Sequence, residues 1–248
     1  MEMLEFFRSF LNFIGRILMY FWTSFFQDTG SFFKIVAEAP FSSIFELLIV
    51  LFLVGVALTI LIGTVRSVAG FSVMPLIQAV ENYTRFFAWI GAWGFTLLMM
   101  SMVFEVISRY FLGAPTKWAF EVAYMLMGTS FMFGIAYCMQ MRRHVRVDFL
   151  YDNLGLKSRS IIDLFGFLIL LPMILWLCAG LWEYFHQAYR VNELSGESAW
   201  NPIIWPFKFT FVIGFVLLLM QTIAEVMKCI LVLSKPRVLE AEGEETIG

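Results

Sequence analysis

Residues 44–65 read IFELLIVLFLVGVALTILIGTV, with a single charged residue, Glu46, near one end. About 20 apolar residues in helical conformation, each rising about 1.5 Å, cross the hydrocarbon core of a bilayer. Comparable runs follow at 85–108, 118–140, 158–192 and 207–232. They are continuous and do not alternate with period two, so the segments read as helices and not as the strands of a barrel. The chain is 60% hydrophobic and only 15% charged, whereas soluble domains are about 45–50% apolar and about 25% charged. The fold class expected is an all-α integral membrane protein. It has a four-helix transmembrane core, one extra N-terminal transmembrane helix, and an amphipathic helix ahead of that.

The amphipathic segment is 3–26. Glu5, Arg8, Ser9, Asn12 and Arg16 recur at helical spacing along one face, and Phe6, Phe10, Phe13, Ile17 and Phe21 cover the other. Such a helix suits the membrane interface, lying flat. A spanning helix whose polar face packs on protein is the competing reading. Arg8 and Arg16 interrupt the apolar stretch and no small-residue cleavage pattern follows, so no cleavable signal peptide is expected. Residues 66–84, with Arg66, Gly70, Pro75 and Asn82, read as a connector. Residues 193–208 read as a turn-rich loop with Trp200 and Trp205 at the interface. The acidic stretch after Pro236 reads as a disordered tail.

Lysine and arginine set the orientation. Leaving out Arg8 and Arg16, ten lie on one side of the spans and five on the other. The rule that basic loops stay inside then places the MRRHVRVD loop (141–148) and the C-terminus in the cytoplasm. The RYFLGAPTKW turn (109–118) and the 193–208 loop face the opposite side.

The residues give little for chemistry to work with. Glu105, Glu121, Asp163, Glu183 and Glu225 all lie within about two turns of a span's end, so no relay of ionisable groups crosses the bilayer. Cys138, Cys178 and Cys229 form no CxxC pair and read as small buried hydrophobes. His144 and His186 fall on opposite sides, which disfavours haem ligation. There is no nucleophile motif, P-loop or glycine-rich phosphate loop. Neither an enzyme nor a cofactor or metal site is expected, and a net charge of −2 does not suggest nucleic acid. What is left is a hydrophobic body with polar ends, suited to packing on another membrane protein. A membrane anchor for a redox or other multi-subunit complex, and a free-standing small carrier, are the alternatives.

From Arg109 to Asp148 the order of residues is more specific. Arg109-Tyr110-Phe111 closes one helix, a short loop contains Pro115, Trp118 and Glu121 open the next, and His144-Val145-x-Val147-Asp148 follows its end. This pattern resembles the small membrane subunit, the DctQ component, of tripartite ATP-independent periplasmic (TRAP) transporters. The resemblance runs from about residue 85 to 233. It divides the chain into an N-terminal extension (1–84), a DctQ-like four-helix domain (85–234) and the tail (235–248). The extension is where the chain departs from a minimal member of the family.

The resemblance implies a non-catalytic permease subunit in a bacterial inner membrane. Its partners would be a large elevator-type membrane subunit, which it scaffolds, and a periplasmic binding protein that delivers organic acids. Uptake would be sodium-driven symport. Glu105 and Arg109 would then hold the helix end and turn, or meet the binding protein, or simply pair within the chain. Trp118 and Glu121 would order the same turn, or serve as an interfacial aromatic and a helix-start acid. His144 and Asp148 would hold the cytoplasmic turn against the large subunit, or act locally. Arg142, Arg143 and Arg146 would set orientation and meet anionic lipid.

Overall fold

The computed structural model describes residues 44–70, 72–141 and 155–234. The amphipathic segment 3–26, the MRRHVRVD loop with Arg142, Arg143, His144, Arg146 and Asp148, and the acidic tail lie outside the described residues. Five helices run through the rest: α1 (Ile44–Gly70), α2 (Met74–Tyr110), α3 (Ala119–Gln140), α4 (Leu156–Val191) and α5 (Trp205–Ser234). α2 to α5 are each long and apolar enough to cross a membrane. α2 and α4, with 37 and 36 residues, are about 55 Å long at 1.5 Å per residue, so both overrun a hydrocarbon core of about 30 Å.

The expected connector at 66–84 is corrected. α1 continues to Gly70 and α2 begins at Met74. Proline does not prevent this, because Pro75 occupies the first helical positions of α2. The amide missing there has no intrahelical partner to lose. The Ser72 hydroxyl accepts a hydrogen bond from the Met74 amide at 3.3 Å and helps start the helix. Pro172 likewise sits inside α4 without ending it.

α5 is the centre of the bundle: α2, α3 and α4 all pack along it, while α1 packs on α2. Leu217, Ala224, Gln221 and Thr222 of α5 are completely buried. Much of the interior is aromatic. Phe185 of α4 meets Phe209 of α5 at 4.9 Å between ring centres, and Phe87 of α2 meets Phe133 of α3 edge-on at 5.3 Å. Trp205, expected at the interface, is instead buried against Tyr189, edge-on at 5.2 Å, at the start of α5. The loop before it is a small hairpin, so Trp205 opens the helix instead of belonging to the loop. The outward faces of α2 and α4 carry exposed Trp89, Trp93, Met100, Phe165 and Trp176. Such surface is unfavourable in water and neutral toward lipid tails or another membrane protein.

Helices that lack a hydrophobic drive to associate gain by close backbone approach. No GxxxG motif is present, yet single glycines give that approach here. A Cβ added at Gly94 would run into the Ser130 hydroxyl, and one at Gly214 would stand 2.8 Å from the Met132 carbonyl oxygen. The second contact is with backbone, so a neighbouring rotamer change cannot relieve it. Gly214→Ala is therefore expected to push α3 and α5 apart and cost about 1–3 kcal/mol, the range for overpacking a filled core. Chemical unfolding in detergent measures it. Stability equal to wild type would mean the α3–α5 contact is looser than described.

Candidate functional site

Glu105, Lys208 and Lys228 make their ion pairs at the two ends of the bundle. One end carries the 111–118 turn and the 192–204 loop and is called the loop end below. The other carries the start of α2 and the last turns of α3 and α5.

At the loop end, Glu105 is the keystone of the turn. It lies one turn before the end of α2, with its side chain almost fully buried. One carboxylate oxygen accepts from both Arg109 Nε, at 2.9 Å, and Arg109 Nη2. The spacing of four places Arg109 over the same helical face. The second oxygen reaches across the turn and accepts from the Thr116 amide, at 3.0 Å, and from the Thr116 hydroxyl. Beside it, the Ser108 hydroxyl donates to the Ala114 carbonyl at 2.5 Å, and the Ala114 amide donates back to the Ser108 carbonyl at 3.0 Å. The chain reverses direction at Gly113, whose φ of +61° falls in the left-handed region open to glycine. The residues on the outside of this turn, Tyr110, Phe111 and Leu112, are strongly exposed and apolar.

Trp118 and Glu121 are not part of this hydrogen-bonded knot. Trp118 stacks on Phe104 of α2, with ring centres 5.9 Å apart and planes at 23°. Glu121 falls in the first turn of α3, where the helix dipole favours an acid. It is completely buried, and neither carboxylate oxygen has a hydrogen-bond partner among the described residues; nor does the buried Tyr124 hydroxyl one turn further on. The structure thus brings Glu105, Arg109 and Thr116 together and places Glu121 inward and apart. Thr116 is the member of this group that sequence reasoning misses. A threonine in a polar turn has no signature until the chain folds back on Glu105.

The 192–204 loop has its own anchor. Asn192 ends α4 in the left-handed conformation, and Leu194 bridges to Ile203 across a tight hairpin. The Ile204 amide donates to the Glu193 carbonyl at 2.9 Å, and the Gly196 amide to Asn201 Oδ1 at 2.8 Å. Lys208, on the first turn of α5, is buried. Its ammonium donates to Glu193 Oε2 at 2.5 Å and stands 3.8 Å from the Tyr184 ring centre, a cation–π distance.

At the opposite end, Lys228 of α5 bridges Glu81 of α2 at 2.5 Å and Glu225 of its own helix at 2.6 Å. Gln221 Nε2 donates to the same Glu225 oxygen at 3.0 Å. Lys228 is the charge that lets two carboxylates share one half-buried site. The spacing of 225 and 228 is visible in the sequence, but the partnership with Glu81 needs the antiparallel register of α2 and α5.

These features describe a polytopic helical membrane protein in which Glu105, Lys208 and Lys228 tie helix ends to each other and to their turns. Comparison with protein families narrows the class. The family model described as "Tripartite ATP-independent periplasmic transporters, DctQ component" matches residues 98–231. The chain belongs to the DctQ family and is the small permease component of a TRAP transporter. No match was found among curated proteins. The matched region begins two-thirds of the way along α2 and runs to the last turn of α5, so the Glu105 turn, Glu121, the hairpin and Lys228 fall inside it, and Glu81 does not.

Glu105→Gln keeps the shape of residue 105 and removes the charge that holds Arg109 and Thr116. Limited proteolysis in detergent is expected to cut the 110–117 turn severalfold faster in this variant. Glu121→Gln is expected to leave that cleavage unchanged. Equal protection of Glu105→Gln and wild type would contradict the keystone role.

Proposed function

We propose that this chain is the fixed, non-catalytic brace of a sodium-driven TRAP transporter for organic acids. A large membrane subunit would move substrate and ions, and a binding protein would deliver the substrate. The observation that carries the proposal is how the described charges are disposed. Glu105 with Arg109, Glu193 with Lys208, and Glu81 and Glu225 with Lys228 are satisfied within the chain at the bundle's ends. Charges committed in this way stiffen a bundle. They are not available to take up and release a passing ion, which must bind weakly enough to leave.

In this reading the chain lies in a bacterial inner membrane with the loop end toward the periplasm and the C-terminus in the cytoplasm. Residues 85–234 are the DctQ-like domain and 1–84 an extension that shares α2 with it. The exposed apolar faces of α2 and α4 are where the large subunit and lipid compete for contact. Tyr110, Phe111 and Leu112, held by the Glu105 knot, form the outer tip that the binding protein approaches; Arg109 reinforces that knot. Trp118 steadies the turn through Phe104, and Glu121 sits beneath it. His144 and Asp148 hold the cytoplasmic turn against the large subunit. Arg142, Arg143 and Arg146 set orientation and meet anionic lipid.

Co-expression with the adjacent genes tests this. A tagged version of the chain is expected to co-purify with one large polytopic membrane protein. Vesicles containing both, supplied with the binding protein, are expected to take up an organic acid when a sodium gradient is applied. Uptake by vesicles containing this chain alone, or its recovery without a large partner, would overturn the proposal.

A further inference from the structure

At the loop end, α3 and α4 both pack along α5 but barely touch one another. They leave a wedge in front of α5, roofed by the 192–204 hairpin. The cavity there measures about 940 Å³, near the top of the range of about 300–1,000 Å³ for small-molecule sites. Its walls are apolar: Met125 and Leu126 of α3, Tyr189 of α4, Trp205 and Phe207 of α5. Deeper in, the hydroxyls of Thr129 and Thr210 lie 3.4 Å apart. The polar groups of the lining are concentrated at the hairpin, where Arg190 and Asn192 end α4.

Arg190 is the cation among the residues that line the wedge. Lys208 is taken by Glu193 and Tyr184, and Arg109 by Glu105. Arg190 is exposed and has no ion pair or hydrogen bond among the described residues. A guanidinium presents a planar fork that matches two phosphate oxygens. An apolar wedge between two membrane-spanning helices, with a phosphate-matching cation in the last turn of one of them, has the polarity profile of a phospholipid. Trp200 on the rim is exposed, as tryptophans at the headgroup level are.

We propose that the wedge between α3 and α4 binds one phospholipid, its phosphate on Arg190 and Asn192 and an acyl chain along Met125, Leu126 and Phe207. Filling a wedge that the helices leave open would hold α3 and α4 at a fixed separation without either touching the other. The proposal requires only that the helices cross a bilayer. It is independent of which side the loop end faces, of the coupling ion and of the transported substrate.

The test is native mass spectrometry of the full chain, alone and in complex with its large subunit, after delipidation and titration with phosphatidylglycerol or with diacylglycerol of the same chains. One phosphatidylglycerol per chain is expected in both preparations. Arg190→Gln is expected to weaken phosphatidylglycerol about 3- to 10-fold, as loss of a charge-assisted contact at a wet rim would, and to leave diacylglycerol unchanged. Met125→Trp, which fills the wedge, is expected to abolish binding of both. Ile203→Glu, at an exposed rim position, is a second block that does not depend on interior packing and is expected to weaken both lipids.

Any of three results would overturn the proposal. In the first, wild type retains no lipid, or retains it alone but not in the complex, as a protein side chain filling the wedge would cause. In the second, binding is insensitive to all three variants. In the third, inorganic phosphate competes fully with phosphatidylglycerol, as a simple anion site would allow. None of these bears on whether the complex transports.

Discussion

A charge taken into a low-dielectric interior must be matched before it is buried, because the cost of leaving it unpaired exceeds any gain from packing. That constraint organises this bundle. α5 packs against three other helices and carries Lys208 near one end and Lys228 near the other. Each lysine is met by a carboxylate that also fastens a second piece of chain: Glu193 the hairpin, Glu81 the start of α2. Glu105 does the same for the turn between α2 and α3. The ties sit at the ends, and between them the helices are held by aromatic packing and by close approach at Gly94 and Gly214. Glu121 departs from the pattern: it is fully buried, with the start of α3 as its compensation among the described residues.

The helices themselves are legible in the amino-acid sequence, because continuous apolar runs admit one solution in a bilayer. Apart from the end of α1 and the start of α2, the helices begin and end within about two residues of where hydropathy puts them. At the start of α2, Pro75 and Asn82 look like loop chemistry, but a proline at a helix start and an exposed polar residue one to two turns on are compatible with continuous helix. Trp205 departs from expectation for a related reason. Aromatic residues near a span's end favour the interface on average, but this one has Phe185 and Tyr189 to bury against.

The polar ties are partly legible. Glu105 with Arg109 follows from a spacing of four on one helix. Thr116 with Glu105, Lys208 with Glu193 and Lys228 with Glu81 depend on how the chain turns back and on the register between helices, and no local pattern encodes either. The same holds for the wedge between α3 and α4. It exists because α3 and α4 share α5 as a neighbour without sharing a face, a property of three helices together. Family membership is legible in an ordered set of residues around two turns, and the family match, over residues 98–231, confirms that reading across the region where those residues lie.

The proposed role of this chain is that of a rigid brace, not a moving part. Thr129 of α3 and Thr210 of α5, whose hydroxyls lie 3.4 Å apart, are close enough to be replaced by a cysteine pair, in a background lacking Cys138, Cys178 and Cys229. Sodium-driven uptake by the reconstituted complex, measured with the Thr129→Cys, Thr210→Cys pair oxidised and then reduced, is the most direct test. A brace predicts the same uptake rate in both states. Uptake that stops when the disulfide forms and returns when it is reduced would show that α3 and α5 move during transport and would contradict the account.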